Sequence, residues 1–345
     1  MIEDALALRV GFSYNVGMHP LSALEDFDTY CRQFTNATLW TPYVREVCRR
    51  HALPCQNVHL GVPGTCPVFL VDKNWVVKFF GRLFDGAQSC AAEREAGRLV
   101  GQDPLIRTAK LAAEGTLLAG GELSERDWPW PYLVFEYIQG TSLGEVLDQV
   151  ALEDRLRAAR EMGDTIRRIH SLRLAGSEVF PASSEPYLRL LERQRVGVAE
   201  RQREWGNLPA HLVEQIDGFL LPPADLVDFT RSPHLIHADL TRDHLLGRLE
   251  NGRWQSLAII DFGDAMTGDL LYELCALHLD MFSGDRRLLA AFLDAYGLPA
   301  EQRANLPHRA LSTALLHQFN VFAAVPEKYF ETSTLAELAD RLYPR

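Results

Sequence analysis

The segment from Pro233 to Phe262 most restricts the folds open to this chain, because it places extended runs inside a region otherwise patterned as helix. Two of these runs lie on either side of Asn251-Gly252, a pair of residues that readily adopts the left-handed backbone of a tight hairpin. Strands therefore return within a helical lobe. The pattern predicts a mixed α+β fold.

The first part of the chain predicts a leader followed by a small lobe. Residues 1–51 have a mostly helical pattern, which Pro54 ends, and we assign them to an N-terminal helical leader. Residues 52–138 are assigned to a lobe with a small antiparallel sheet. Its predicted elements are a hairpin of strands over 67–71 and 75–80, a helix over 91–100 and a buried strand over 130–138.

Helical periodicity dominates after Glu145, so residues 139–345 are predicted to form a larger helical lobe. Apolar residues on one face predict a long amphipathic helix over 152–169. The polar and aperiodic stretch 196–207 predicts a surface excursion without regular structure. Further helices are predicted over 271–281, 287–296, 310–321 and 335–342.

The composition is typical of a globular protein with an acidic surface. Of the 345 residues, 47% are hydrophobic and 23% are charged, close to the average for folded domains. The formal net charge of -11 disfavours nucleic acid as a partner, because phosphate backbones would be repelled. The sequence has neither a long apolar run typical of a membrane span nor a secretory pattern at its acidic start. We expect a cytoplasmic monomer that does not bind membranes.

Six scattered cysteines form no C-x-x-C pair and are interpreted as reduced thiols. Cys48, His51, Cys55 and His59 have a spacing compatible with zinc. Pro54 interrupts any helix that would aim these four side chains at one point. A metal site here is therefore the weaker interpretation.

The residues with the clearest chemical signature flank the hairpin predicted around Asn251-Gly252. Residues 237–244 read His-Ala-Asp-Leu-Thr-Arg-Asp-His, and residues 259–264 read Ile-Ile-Asp-Phe-Gly-Asp. Phosphoryl transfer needs one carboxylate to align the attacking hydroxyl and accept its proton, and oxygen ligands for Mg²⁺. Asp239 fits the first role and Asp261 fits the second. Kinases with this pattern carry Asn five residues after the first Asp, where this chain has His244.

This region resembles the catalytic segment of the aminoglycoside phosphotransferase and choline kinase superfamily, whose members are relatives of protein kinases. The resemblance is most specific in Ile260-Asp261-Phe262-Gly263-Asp264-Ala265 and Gly268-Asp269. It implies a bilobal protein-kinase-like fold that binds ATP or GTP, with Mg²⁺, between its lobes. Further blocks are similar to hygromycin B 7''-O-phosphotransferases and extend from about Leu39 to Leu342; they include Val62-Pro63-Gly64, Val76-Val77-Lys78-Phe79-Phe80-Gly81, residues 128–134 and Leu315-Leu316-His317.

The resemblance also implies residues that contact the nucleotide phosphates. Lys78 matches the strand lysine that contacts the α- and β-phosphates. Glu95 matches the ion-pair partner of that lysine, with Glu93 as the alternative. Gly64 and Thr65 match the turn of the loop that covers the nucleotide, where small residues let backbone N–H groups approach phosphate oxygens.

Two more assignments follow from the resemblance. Backbone groups of Glu136 and Ile138 match the linker that hydrogen-bonds the adenine edge. His244 occupies the position of the second metal ligand and joins Asp261 there, although imidazole nitrogen suits Mg²⁺ less well than an amide oxygen. Asp243 is an alternative oxygen donor.

The acceptor is predicted to be a small cationic molecule. Glu273 and Asp280, together with Asp285, match a region that lines the acceptor cleft in the resembled family, where carboxylates would hold ammonium groups. Ordinary solvated helix charges are the alternative interpretation. His237 and Asp269 are assigned structural roles, as a loop brace and a helix cap.

The predicted function is transfer of the γ-phosphate to a hydroxyl of an aminoglycoside antibiotic, with hygromycin B as the first candidate. One alternative is a nucleotide-binding pseudokinase, because His244 alters the second metal position. Another is a kinase of a different metabolite, in which Trp128, Trp130 and Trp205 would cage a quaternary ammonium. The P-loop, dinucleotide-binding and serine-hydrolase signatures are absent from the sequence, which excludes those classes.

Overall fold

The computed structural model describes residues 20–62, 64–118 and 128–344, and these divide into two compact units. The first unit contains the described residues up to Ala87 and those of the segment Ala112–Phe135; the second contains Gln88–Leu111 and the described residues from Glu136 onward. This division differs from the predicted boundaries at residues 51 and 138. The described part of the leader joins the sheet in the first unit, and residues 1–19 of the leader lie outside the described residues.

The first unit contains an antiparallel sheet of five strands in the order β1-β2-β3-β5-β4. The hairpin predicted over 67–80 is present, and its turn at Asp72 and Lys73 has positive φ values of 52° and 54°. The elements of this unit are α1 (Phe27–Gln33), α2 (Ala37–Arg50), β1 (Val58–Leu60), β2 (Val68–Val71), β3 (Trp75–Phe79), β4 (Leu111–Thr116) and β5 (Pro131–Glu136).

Helix α2 covers this sheet through one large aromatic side chain. Trp40 is fully buried, with its ring centroid 4.9 Å from that of Phe79 and 5.1 Å from that of Trp130. Asn36 caps the helix by accepting hydrogen bonds from the backbone N–H groups of Thr38 and Leu39. The helical pattern predicted for the leader places apolar side chains on one face of α2, and this face closes the small core.

The second unit is mainly helical and contains two small sheets, of order β6-β8-β9 and β10-β7. Its helices are α3 (Gly86–Val100, in this unit from Gln88), α4 (Leu143–Val146), α5 (Leu152–His170), α6 (Glu185–Arg195), α7 (Val198–Trp205), α8 (Ala210–Val213), α9 (Ile216–Phe219), α10 (Pro223–Leu226), α11 (Leu270–Ala276), α12 (Arg286–Tyr296), α13 (Ala300–Arg303), α14 (Leu306–Leu315) and α15 (Leu335–Leu342). Its strands are β6 (Thr141–Ser142), β7 (His234–Ile236), β8 (Leu245–Glu250), β9 (Arg253–Ile259) and β10 (Met266–Gly268).

Two packing contacts explain how this unit holds together. Helices α5 and α12 approach so closely at Gly163 that an added Cβ would lie 2.4 Å from the carbonyl oxygen of Phe292. Helix α3 belongs to this unit because its apolar face, including Ala92, Ala96 and Leu99, is part of the same core as α5. The predicted helix over 91–100 therefore exists, and its packing explains why the division of the chain differs from the predicted one.

The hairpin predicted around Asn251-Gly252 is formed by β8 and β9. Both turn residues have positive φ, 52° and 75°, as a tight turn of this kind requires. Three loops follow one another along the chain here: one between β7 and β8, the hairpin turn between β8 and β9, and one between β9 and β10. The α+β class predicted from these strands is confirmed.

Three predicted segments differ from the structure. The stretch 196–207 contains helix α7, because Val198 and Gln202 lie on its buried face and the Gln202 amide donates to the carbonyl oxygen of Leu315 at 3.0 Å. The helix predicted to reach residue 321 ends at Leu315. The helix predicted over 271–281 continues from α11 as one π-helical turn, Leu277–Met281. In the described ranges, no helix is both long and apolar enough to cross a bilayer.

Candidate active site

Asp239 lies in the loop that follows β7. The preceding residue, Ala238, is buried and has a φ of 67°, a left-handed conformation that turns the chain sharply after the strand. The His317 side chain, which lies just after the end of α14, holds this turn, because its Nε2 donates to the Ala238 carbonyl oxygen at 3.1 Å. Asp239 is thereby presented as a half-buried carboxyl.

His237 anchors the same loop from its other side. Its ring is fully buried, and its Nε2 donates to the carbonyl oxygen of Ile260 at 2.9 Å. Burial lowers the pKa of His237 to about 4, so the imidazole is neutral near physiological pH. The structural role expected for His237 thus agrees with its contacts, which join the Asp239 loop to the segment that carries Asp261.

Glu273 lies beneath the loop rather than in a cleft. It is 1% exposed, and its Oε2 accepts the backbone N–H of His237 at 2.7 Å. A carboxylate with no solvent access cannot hold the ammonium group of an incoming acceptor. The structure therefore contradicts the acceptor-binding prediction for Glu273 and gives it a positioning role in the loop.

Asp261 follows β9 and begins the short 3₁₀ turn Phe262–Asp264. Its φ of 65° is left-handed, a conformation that Asp tolerates better than most residues, and its Oδ1 accepts the N–H of Gly263 at 3.4 Å. Its carboxyl is half-buried, and that of Asp264 is exposed. Strand β10 follows immediately, so the turn is held between two strands.

Four carboxyl groups form one acidic cluster around Asp239. The pKa of Asp239 is raised to about 7, chiefly by burial; His244 lowers it, and the negative charges of Asp264, Asp261 and Asp280 contribute to the rise. Such repulsion is relieved when a divalent cation binds between the carboxylates. Carboxylate oxygens are also the donors that Mg²⁺ prefers, although no three of the described His, Cys, Asp and Glu side chains are already arranged around a common cation position.

His244 is turned toward its own loop. Its Nδ1 lies 2.5 Å from the carbonyl oxygen of Asp239 and 3.2 Å from the hydroxyl of Thr241. A nitrogen that donates to a backbone carbonyl is not a metal ligand, so only Nε2 could serve the predicted metal site. The ring therefore braces the loop and supplies no oxygen donor.

Asp280 is engaged by a neighbouring arginine. Its Oδ1 accepts the backbone N–H of Arg242 at 2.9 Å and the Nε–H of the same residue at 3.0 Å. This pairing orients the loop between Asp239 and His244. It also occupies the carboxylate that was predicted to hold an acceptor cation, so Asp280 has a positioning role in the loop.

The predicted phosphate-contacting residues of the first unit lie on β3 and on the loop before β2. Lys78 is 7% exposed, with its Nζ 5.3 Å from the ring centroid of Phe80. Gly64 has open space where a Cβ would lie, and the carbonyl oxygen of Thr65 accepts the Tyr30 hydroxyl at 2.6 Å. Pro63, part of the same block, lies outside the described residues.

The remaining predicted nucleotide residues belong to the second unit. Glu95 pairs with Arg98 of its own helix at 2.7 Å, whereas the alternative, Glu93, is 6% exposed. The backbone N–H of Glu136 donates to the Lys110 carbonyl oxygen at 2.8 Å, so it is committed to the sheet. Ile138 is half-buried.

The alternative sites lack supporting geometry. Trp130 is buried in the core of the first unit, and the Trp128 indole donates to the Phe80 carbonyl oxygen at 2.7 Å, so both are used in packing. Trp205 stacks with Arg201. His51 bonds the Tyr132 hydroxyl, and within the described ranges no group of three or more His, Cys, Asp or Glu residues is arranged to hold a metal.

Buried neutral histidines should make the protein sensitive to mild acid. Burial lowers the pKa of His278 to about 4, below its ordinary value near 6.5. The unfolded chain therefore binds more protons between these values, so stability is present above about pH 6.5 and is lost as the pH falls toward 4. Gln does not titrate, so we expect the free energy of unfolding of His278→Gln to fall by about 1.4 kcal/mol less per pH unit in this range. The variant should still fold, because Gln can donate to the Leu342 carbonyl oxygen as His278 does.

The measurement is chemical denaturation of both proteins between pH 7 and pH 4. The raised pKa values of Asp239 and Asp269 oppose the histidine trend, and they cancel when the two proteins are compared. Parallel stability curves for His278→Gln and the unmutated protein would contradict the prediction.

Comparisons with known proteins bear on the fold and on the family of the chain. The chain is similar to a GDP and kanamycin complex of an APH(2") enzyme, with 20% identity, a TM-score of 0.60 and coverage of 79% of this chain and 88% of that chain. It is also similar to macrolide 2'-phosphotransferase MphH from Brachybacterium faecium, with 18% identity, a TM-score of 0.52 and coverage of 87% and 96%. These likenesses confirm the predicted kinase-like fold.

A curated relative, lysine-specific demethylase JMJ21 of Arabidopsis thaliana, is 24% identical over 204 residues. That match covers 49% of this chain and only 22% of the demethylase. At the level of the family, residues 67–307 match the phosphotransferase enzyme family, APH. The prediction of a phosphotransferase enzyme is confirmed, and the chain belongs to the phosphotransferase enzyme family.

Proposed function

We propose that this chain transfers the γ-phosphoryl group of ATP or GTP to a hydroxyl of a small cationic acceptor, an aminoglycoside, with hygromycin B as the first candidate. The observation that carries the proposal is the loop around Asp239. Its carboxyl has a raised pKa, lies among three other carboxylates, and is braced by His317 and His237. Such an arrangement suits a group that accepts a proton near neutral pH.

In the proposed reaction, Asp239 hydrogen-bonds the acceptor hydroxyl and takes its proton as the oxygen attacks the γ-phosphorus. The new O–P bond forms while the bond to the β–γ bridging oxygen breaks, and the nucleoside diphosphate leaves. A pKa of about 7 makes the Asp239 carboxylate a stronger base than an ordinary aspartate. Its braced loop keeps the acceptor oxygen aligned without reorganisation during the reaction.

Asp261 is proposed to hold Mg²⁺, which when bound neutralises charge on the transferred phosphoryl group. Asp264 and Asp243 are nearby sources of further oxygen ligands. The predicted role of His244 is revised to that of a loop brace, because its Nδ1 faces the Asp239 carbonyl oxygen. The acidic cluster then depends on the cation to offset its own repulsion.

The nucleotide is proposed to contact Lys78 through its phosphates, with Gly64 and Thr65 in the covering loop. Glu95 stays the predicted acidic partner of that lysine, with Glu93 as the alternative. The adenine edge is proposed to meet the carbonyl oxygen of Glu136 and the N–H of Ile138, because the Glu136 N–H is already used. The GDP in the similar kanamycin complex supports a bound nucleotide.

The cationic acceptor is supported by the exposed Asp264 beside Asp239 and by the kanamycin in that similar structure. The macrolide 2'-phosphotransferase likeness shows that this fold also occurs with acceptors of other classes. The assignment of hygromycin B depends on the sequence blocks that resemble the 7''-O-phosphotransferases.

The test is nucleotide consumption with Mg²⁺ in the presence of single acceptors. Hygromycin B and other aminoglycosides form one group, and choline and simple amino alcohols form the other. We expect turnover that depends on an aminoglycoside, with one phosphate added per acceptor by mass spectrometry. Turnover with choline or amino alcohols alone would show that the acceptor is not an aminoglycoside. Nucleotide binding without any turnover would favour the pseudokinase.

His244→Asn should strengthen metal binding. An Asn side chain can donate from its amide nitrogen to the Asp239 carbonyl oxygen, as His244 does, and it also offers an amide oxygen to Mg²⁺. We expect the Mg²⁺ concentration for half-maximal turnover to fall by about threefold to tenfold, equivalent to about 1 kcal/mol. His244→Ala, which removes both groups, is the comparison variant and should lower turnover. An unchanged Mg²⁺ dependence in His244→Asn would contradict this prediction.

A further inference from the structure

A cavity of about 320 Å³ lies in the second unit at the end of the β7 and β10 pair that is remote from Asp239. His234 begins β7 and lines the cavity, whereas Asp239 follows the other end of that strand. Gly268, opposite His234 in the strand register, also lines it. The cavity is therefore separate from the acidic cluster proposed for phosphoryl transfer.

One positive charge in the cavity lining has no ion-pair partner. The half-buried Arg309 donates to the Leu226 carbonyl oxygen at 3.4 Å, and among the described residues no carboxylate lies within salt-bridge distance of it. The charge of Arg309 acts to lower the pKa of both acids in the lining, but each acid is hydrogen-bonded to other groups. Asp228 bonds the Thr230 hydroxyl and backbone N–H and lies 3.5 Å from Arg231, so its charge is already compensated.

Asp269 is the other acid, and it is used by the fold. Its Oδ1 accepts the backbone N–H groups of Leu271 and Tyr272, at 2.9 and 3.4 Å, and the Tyr187 hydroxyl at 3.3 Å. These bonds cap α11, which agrees with the role expected from the sequence. Arg309 is therefore the cation of the lining that forms no ion pair with a described residue, and a guanidinium pairs best with a planar carboxylate.

The rest of the lining defines the other properties of a ligand. Ser184 and Ser232 supply hydroxyl groups, and Ser184 makes no capping bond to α6 although it stands at its N-cap position. Leu270, Leu298 and Leu306 supply apolar surface. A volume near the lower end of the range for small-molecule sites fits an organic anion of about ten non-hydrogen atoms.

We propose that this cavity binds a small organic carboxylate with an apolar body, whose carboxylate pairs with Arg309. The ligand is distinct from the nucleotide and from the cationic acceptor. The cavity wall is connected to the catalytic loop by a short chain of contacts, so the same site is a means of regulating the enzyme. That second statement depends on the proposed function, whereas the binding site does not.

The connection runs through His170. Two residues of the cavity lining contact His170. The Tyr296 hydroxyl is hydrogen-bonded to the His170 Nδ1 at 2.9 Å, and the His234 Nδ1 donates to the His170 carbonyl oxygen at 2.8 Å. The Nε2 of His170 lies 3.9 Å from Glu273 Oε2, the oxygen that accepts the His237 N–H. His170 Nε2 is buried without a hydrogen-bond partner among the described residues, so a small shift of the ring would complete a bond to Glu273.

The test of the site is calorimetric binding of phenylacetate to the full chain. Phenylacetamide, which has the same shape and no charge, is the matched ligand control, and inorganic phosphate tests whether any anion suffices. We expect phenylacetate to bind at low millimolar concentration and the other two at least about tenfold more weakly, the effect of losing a charge-assisted pair. Equal affinity for the amide, or no binding of phenylacetate, would overturn the proposal.

Two variants locate the binding. Arg309→Gln keeps a long polar side chain and should weaken phenylacetate binding by about tenfold. Ser184→Phe fills the cavity without loss of a capping bond and should abolish binding. Arg203→Gln, on an exposed helix face, is the control and should bind normally. Unfolding temperatures establish that each variant is folded, and normal binding by Arg309→Gln would contradict the assignment.

The regulatory connection has a separate readout. Hydrogen exchange of the backbone amides at 237–241 should slow when phenylacetate binds to the unmutated chain, and should not change in Arg309→Gln. This measurement requires neither acceptor nor turnover, so it remains informative if the proposed function fails. Binding without a change in exchange would leave the site intact and refute its connection to the loop.

Discussion

Asp239→Asn should lower acceptor-dependent turnover by about two to four orders of magnitude, because the amide keeps the shape of the carboxyl and cannot take the proton of the attacking hydroxyl. Nucleotide binding should be retained, since the proposed nucleotide contacts lie on other residues. The measurement is the steady-state rate with a saturating acceptor, together with nucleotide affinity by calorimetry. Loss of both activity and affinity would indicate a damaged fold rather than a missing base.

The same substitution should stabilise the folded protein at alkaline pH. The folded-state pKa of Asp239, about 7, lies above its ordinary value of 3.8, so the ionised carboxylate costs stability as the pH rises through 7. Asn carries no charge and avoids that cost. We therefore expect a higher unfolding temperature for Asp239→Asn at pH 8 and little difference near pH 4.

Asp217→Asn is a matched control for both measurements, because Asp217 is exposed and lies on α9 away from the loop. It should leave turnover and stability unchanged. Turnover by Asp239→Asn at the level of this control would refute the role of Asp239 as the base. A lowered unfolding temperature at pH 8 would instead show that the carboxylate is stabilised by contacts and does not act as a repelled charge.

The sequence locates Asp239 and Asp261 well, because both stand next to strands with strong local patterns. A hairpin turn at Asn251-Gly252 determines where β8 and β9 begin and end, and the two carboxyls follow from those limits. Local backbone preferences suffice at such positions. The pairing of β7 with β10 in a further small sheet was not predicted, because the short strand β10 has no strand pattern of its own.

The supports of the loop could not be found in this way. Glu273 and His317 are far from residues 237–239 in the chain, and each contacts a backbone atom of the loop rather than a side chain. A backbone partner leaves no residue pattern in the sequence. The only available signal was an acidic residue on a helix face that is otherwise buried, which indicates a committed carboxylate rather than a ligand-binding one.

His244 shows a different limit of sequence analysis. The substitution of Asn by His is visible at once, and the chemistry of imidazole predicts weaker magnesium binding. Which nitrogen faces the metal depends on the backbone of the 3₁₀ turn Arg242–His244 and on the Asp239 carbonyl oxygen. That direction is a tertiary property, so only the structure distinguishes a brace from a ligand.

Asp261→Asn should produce the second large effect, about a hundredfold to a thousandfold loss of turnover at a fixed Mg²⁺ concentration. Asn retains one oxygen and loses the negative charge that attracts the cation. We expect the Mg²⁺ concentration for half-maximal turnover to rise, so that part of the activity returns at high Mg²⁺. Loss that no Mg²⁺ concentration restores would mean that Asp261 acts on the loop rather than on the cation.

Asp264→Asn makes the same change of charge three residues away. Comparing the two variants distinguishes a residue that binds Mg²⁺ from one that only adds negative charge to the acidic cluster. Removing either charge should lower the pKa of Asp239, because both carboxylates raise it. In both variants, the acid limb of the pH–rate profile should therefore move to lower pH. Only Asp261→Asn should also change the Mg²⁺ dependence strongly, since the Asp264 carboxyl is exposed and is better placed to meet a cationic acceptor. If Asp264→Asn instead raises the Mg²⁺ requirement as much and leaves acceptor affinity unchanged, the cation is held by the cluster as a whole and the single assignment to Asp261 fails.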